Sequence, residues 1–228
     1  SSDLSQCGRA FVGDGYFLIE AGNLCYSLYL LAIAKRYYEQ AETIFAKHNH
    51  YAGLSTVYGN YSLIALLEQK KDTALRYAQK ALDVQLNYAK DSFQTAHAYQ
   101  VVGRIYAENF KDHERAVAYY DSSLAILYSP TLRQHAHYSQ FAYLLPQTLN
   151  FLSIAQYYAG DLEGWQKNHR KGVEIAEREK IAFSTFATML LDYSVTLLDA
   201  KEEETVLRYT TTVDSFLSAN KLQFSQST

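Results

Sequence analysis

Apolar and small residues return along this chain at the three- and four-residue spacing of helices, and no Val/Thr-rich run alternates as a strand would. The first fifteen residues, with Gly8, Gly13 and Gly15, show no stable periodicity and read as a loose entry or short cap. From Tyr16 onward, Leu18, Cys25, Leu28, Leu31 and Ala32 line a first helix to about Ala34. A second, from roughly Tyr37 to His48, carries Ala41, Ile44 and Phe45 on one face. Tyr58, Tyr61, Ser62 and Ala65, then Ala74, Ala78 and Ala81, mark the next two helices. Between His97 and Leu127 the pattern is clearest: Tyr99, Val102-Gly103 and Tyr106, a turn over Asn109 to Asp112, then Ala116, Tyr120 and Ser123. Further on, Ser153 and Tyr158 precede the turn Ala159-Gly160-Asp161, which is followed by Trp165, His169 and Gly172. A last pair runs from about Ala182 to Ser218, through Leu190, Ser194, Leu197, Val206, Thr210 and Val213. Asp72, Asp112 and Asp161 recur at corresponding turns, where a carboxylate can accept an amide hydrogen from the first turn of a helix.

The order aromatic, small-Gly, Tyr, then Ala, aromatic, small between His97 and Leu127 resembles the tetratricopeptide repeat. Gly103 and Ala116 have a physical role in it, since small residues let two antiparallel helices approach until larger neighbours interlock. The resemblance implies an all-α, right-handed superhelical stack of about five antiparallel helix pairs, an α-solenoid. The units would be approximately 16–50, 51–88, 91–128, 130–180 and 181–220 of one domain, the last acting as a cap. The step from Ala41 to Ala74 is close to the nominal repeat of about 34 residues, and the steps to Ala116, Trp165 and Val206 are longer. Such extended units resemble the sensor and regulatory halves of bacterial signalling proteins. Ser129 and Pro130 suit an N-cap and first helical residue. Pro146 implies either a kink or a break between about Arg133 and Pro146. Trp165 fills a slot usually small, so pairing there is expected to be wider or shifted.

Composition narrows the reading. Two prolines and ten glycines in 228 residues leave few breakers, and a 48% apolar content is ample for a core. A net charge of -3 with interleaved signs offers no basic stripe, so no direct nucleic-acid partner is expected. No run reaches membrane-spanning length and the N-terminus lacks a signal-peptide pattern; a cytoplasmic location is expected, with the periplasm as the alternative. Cys7 and Cys25 lack metal-site spacing, and their bridging is left open. The only methionine is Met189, so a piece of a longer protein, whose output activity lies elsewhere, is expected, with a processed mature protein as the alternative.

Chemistry-bearing clusters are sparse. The 21 tyrosines suit packing, with hydroxyls reaching the edges of helix pairs. His48/His50 and His135/His137 point about 200° apart on a helix and have no third ligand nearby, so no metal is expected. Gly13-Asp14-Gly15 is too short for a phosphate cradle, and Glu202-Glu203-Glu204 suits the first turn of a helix. No cofactor and no enzymatic activity are expected. The exposed side of the first helices would form a groove of Tyr26, Thr56, Asn60, His97, Gln100, Arg104, Gln147, Asn150 and Tyr157. Only Asn60 fits the two-asparagine clamp by which one subclass of the repeat holds chaperone C-termini; Tyr26, Leu30, His97 and Val101 depart from it. The expected partner is therefore another peptide or protein segment, bound by a regulatory module of a larger bacterial signalling protein. The alternatives are a small-molecule pocket near the third and fourth units, or a structural module that self-assembles, as in a homodimer.

Overall fold

In the computed structural model, backbone is described for residues 2–90, 92–135 and 138–226, and side chains for most of residues 12–215. No strand occurs among the described residues. The chain divides into two compact units, Ser1–Leu132 and Arg133–Thr228. The boundary falls in the proline-flanked stretch that the sequence marks as irregular.

Unit one contains α1 (Ser2–Ser27), α2 (Leu31–Lys47), α3 (Tyr51–Leu67), α4 (Lys71–Tyr88), α5 (Phe93–Ile105) and α6 (His113–Leu127). A π-helical turn, Tyr106–Phe110, extends α5, and the short α7 (Pro130–Arg133) spans the boundary after Leu132. From α1 to α6 each helix packs on the next in chain order, with α1 also touching α3. Unit two contains α8 (Tyr138–Phe141), α9 (Leu144–Ala159), α10 (Leu162–Arg178), α11 (Phe183–Asp199) and α12 (Glu203–Gln226). There α9 packs on α10 and α11, and α11 on α12. Each unit is thus an all-α stack of consecutive helix pairs.

One turn geometry recurs. Tyr29, Asn49, Gln69, Gly160, Lys180 and Lys201 all take the left-handed conformation just after a helix. The residue that follows each donates its amide to the carbonyl five residues back, as in His50 N to Phe45 O at 2.8 Å and Lys70 N to Ala65 O at 2.8 Å. This closure satisfies carbonyls that the helix end would leave orphaned, and it reverses the chain within a few residues.

The core is built by rings seated on glycines. A Cβ at Gly103 would lie 2.8 Å from Tyr120 Cε1, one at Gly15 2.6 Å from Phe45 Cε1, and one at Gly22 would collide with Tyr38. Phe45 also closes on Gly53, so a single ring occupies space beside α1 and α3. Tyr38, Phe45 and Tyr120 are 2% exposed or less.

Several expectations are corrected. The glycines near the N-terminus do not loosen it: α1 starts at Ser2, and Gly15 serves ring packing within it. That first helix ends at Ser27, and Leu31 and Ala32 belong to α2 because the left-handed Tyr29 turns the chain between them. Asp72 does not cap α4. The N-cap is Lys70, without a side-chain hydrogen bond, since the preceding turn starts the helix at Lys71. Asp112 and Asp161 do cap, accepting from Arg115 N at 3.0 Å and Gly164 N at 2.9 Å. Pro146 produces a break rather than a kink: it lies in the first turn of α9, where an amide hydrogen has no intrahelical partner to lose.

Candidate functional site

The groove residues do not share one environment. In unit one, Thr56 on α3 and His97 and Arg104 on α5 are exposed, and Tyr26 and Asn60 are half-buried. Gln100, expected beside them, is 2% exposed. It stands three residues from His97, a 60° offset around the helix that turns it inward. Asn60 Nδ2 donates to Asn23 Oδ1 at 3.1 Å, and Tyr38 Oη donates to the same oxygen at 2.9 Å. That acceptor ties α1, α2 and α3 together, which gives Asn60 a structural task. Arg104 Nε reaches Glu108 Oε1 at 3.1 Å within its own helix.

In unit two, Gln147 and Tyr157 are half-buried, and Asn150 is 0% exposed, a second departure from the expected groove. Asn150 sits at the α9–α10 crossing, where Gly172 lets the helices close: a Cβ there would lie 3.2 Å from Pro146 O and 3.8 Å from Asn150 N. The two helices remain tight at this level although Trp165 fills a small slot one end away. Tyr157 packs on Trp165 with ring centroids 4.9 Å apart.

Apart from Trp165, the sequence gives no sign of one cleft of unit two, of about 540 Å³, lined by α10, α11 and α12. Trp165, His169 and Val173, at i, i+4 and i+8 on α10, form one wall. Phe186, Leu190 and Tyr193 come from α11, and Thr205, Arg208 and Tyr209 from α12. His169 is 4% exposed, stacks on Tyr193, and shares a 2.7 Å hydrogen bond between Nε2 and Tyr209 Oη. Burial, assisted by the charge of Arg208, lowers the His169 pKa to about 3, so the imidazole is neutral near pH 7. Burial also raises the Tyr209 and Tyr193 phenols. Arg170 and Arg208 line the cleft, as do Glu177 and Glu202, and none of the four is in an ion pair among the described residues. Trp165 was the one signal of this cleft visible in the sequence.

Unit one has a second concavity of about 430 Å³ beside α2, α3 and α4. Within it, Lys35 and Lys70 reach Glu68 at 2.5 and 2.9 Å, and Tyr61 donates to Glu42 at 3.3 Å. Those hydrogen bonds lower the Glu68 pKa. Elsewhere, His50 Nδ1 accepts from Gly53 N at 3.1 Å as the cap of α3, while His137 and the Cys7 side chain lie outside the described residues.

No protein-family model and no curated protein matches the chain. Solved structures do resemble it. BtubC (BKLC) from P. vanneervenii superposes with a TM-score of 0.61 at 13% identity, over 94% of this chain and 92% of that one. Aspartyl phosphate phosphatase F from Bacillus subtilis gives 0.71 at 16% identity, over 92% of this chain and 52% of the phosphatase. This chain therefore spans about half of the latter protein. At these identities the likeness establishes the all-α helical-repeat fold and nothing of the chemistry.

Proposed function

We propose that the chain is a non-catalytic helical-repeat module that binds a peptide or protein segment on the first-helix face of unit one, as a regulatory part of a bacterial signalling protein. The observation that carries this reading is the exposure of Thr56 on α3 and of His97 and Arg104 on α5, helices whose opposite sides are fixed by buried rings. Rigid helices present such side chains at little ordering cost, which favours recognition. Small shifts at successive helix interfaces then provide a way to pass binding on as a change of curvature. Resemblance to a protein named for aspartyl phosphate supports the signalling setting. No described helix is long and apolar enough to cross a membrane.

Selection of binders from a displayed peptide library tests the reading. His97→Ala with Arg104→Ala is expected to weaken the selected peptides at least tenfold while helicity and melting stay unchanged. Peptides that bind the double variant as well as the parent chain would remove this face from consideration.

Self-association has a separate observation in its favour. Phe17, Leu24, Leu28, Tyr29 and Leu30, on α1 and the turn after it, are 46–76% exposed. Sedimentation over a range of concentrations decides it: a species that remains monomeric at high concentration excludes the homodimer.

A further inference from the structure

The His169–Tyr209 hydrogen bond fixes more than a pair of side chains. Arg170 follows His169 on α10, and Arg208 precedes Tyr209 on α12, so a 2.7 Å contact brings two arginine-bearing backbones to one level of the cleft. Arg208 lies with its guanidinium carbon 5.5 Å from the Tyr209 ring centroid. Neither arginine has a carboxylate partner among the described residues. Two carboxylates share the cleft, and their charges add to burial in raising the phenols beside the arginines, Glu177 that of Tyr209 and Glu202 that of Tyr193. Glu177 is seven residues beyond Arg170, about 10 Å along the axis, and Glu202 precedes α12 altogether.

Beside the arginines the wall is flat and apolar. Phe186 and Val173 are half-buried there, over a floor of Trp165, Leu190 and Tyr193 that is 1–3% exposed, with the Trp165 and Tyr193 rings 5.5 Å apart at 32°. These rings are held in place: Trp165 Nε1 donates to Thr196 Oγ1 at 3.1 Å, and Tyr193 is stacked on His169. A volume of about 540 Å³ falls in the range of small-molecule sites. Guanidinium forks pair well with carboxylate or phosphate oxygens, while an aromatic shelf accepts a planar apolar body.

We propose that the α10–α12 cleft is a ligand site for a small organic anion, with its carboxylate or phosphate head between Arg170 and Arg208 and a flat apolar body against Phe186 and Val173, above the buried Trp165 and Tyr193. The site lies wholly in unit two and is independent of the peptide-binding face proposed for unit one.

Trp165 is the only tryptophan, so its emission reports on this cleft. Three probes that share a ring system separate head from body: 2-naphthoate, 2-naphthyl phosphate and the uncharged 2-naphthamide. At least one anion is expected to change Trp165 emission saturably, with one site and at least tenfold tighter binding than the amide; whichever anion binds better identifies the head group. Arg170→Gln with Arg208→Gln is expected to weaken the anion at least tenfold and the amide less than twofold, with far-ultraviolet circular dichroism unchanged. Arg170→Lys with Arg208→Lys, which keeps charge without the planar fork, should fall between these and serves as the test if the glutamine variant loses helicity. Equal binding of anion and amide, undiminished anion binding by the glutamine or lysine variant, or no saturable binding of any probe would overturn the assignment.

Discussion

Trp165 Nε1 donates a hydrogen bond to Thr196 Oγ1 at 3.1 Å, joining α10 to α11, and the same hydroxyl donates to Tyr193 O at 2.8 Å. Both residues are buried, at 3% and 0% exposure. Thr196→Val keeps the shape and removes the acceptor, leaving an indole N–H without a partner. Such a loss costs about 1–3 kcal/mol. Urea unfolding followed by Trp165 emission is expected to show it as a lower midpoint with an unchanged slope. A midpoint equal to that of the parent chain would mean that the indole hydrogen is satisfied elsewhere.

Gly103 and Gly59 both lie inside helices, on α5 and α3, yet substitution should act in opposite directions. At Gly103 a methyl group would press on the Tyr120 ring at 2.8–3.2 Å, and that ring is 2% exposed with little room to move. Gly103→Ala is therefore expected to destabilise by about 1–3 kcal/mol through overpacking. At Gly59 nothing lies within 4 Å of the added carbon. Gly59→Ala should stabilise by about 0.5–1 kcal/mol through helix propensity. Thermal melts of the two variants, measured side by side, check the sign as well as the size.

The three aspartates that look equivalent in sequence are separated by structure. Asp112 and Asp161 accept amide hydrogens at helix starts, and Asp72 lies two residues beyond the Lys70 cap position with no such bond. Replacement of Asp112 or Asp161 by alanine is expected to cost about 1 kcal/mol. Asp72→Ala should cost only a few tenths, the share of a carboxylate near the helix dipole. Equal losses in denaturant titrations of all three variants would contradict the cap assignments.

Local periodicity was enough to read the helix pairs because each buries a stripe spaced within its own sequence. Gly103, with the Tyr120 ring seated on it, and Ala116 obey that rule. Helix starts depended on less visible matters. A left-handed Gln69 closed the turn early and left Asp72 inside α4, and nothing in its side chain announces that conformation. Exposure was harder still. Gln100 and Asn150 sit between the inner and outer faces of their helices, so the neighbour decides their burial and the residue type does not. The unit-two cleft depends on His169 meeting Tyr209 from forty positions away, a relationship with no local trace. Trp165 was legible as an oddity only because a ring stood where the repeat asks for a small residue.

Burial of His169 makes the stability of the protein depend on pH in a defined direction. Its native pKa is about 3, against an ordinary value of about 6.5 in the unfolded chain. Between these values the unfolded state binds a proton that the native state refuses. Stability is then complete above about pH 6.5 and declines as pH falls toward 3, by at most about 1.4 kcal/mol per pH unit for this one group. Burial lowers the His113 pKa as well, and hydrogen bonds from Lys35 and Lys70 lower that of Glu68, so both add losses on acidification. Desolvation raises the Asp121 pKa and opposes them. The His169 share is isolated by comparing the parent chain with His169→Gln, whose amide can still bond Tyr209 but does not titrate. Between about pH 7 and pH 5, denaturant unfolding should show the parent chain losing about 2 kcal/mol more than the variant, whatever the offset between them at neutral pH. Parallel pH profiles would show that His169 takes up its proton in the folded protein, and the closed, neutral His169–Tyr209 contact would then be wrong.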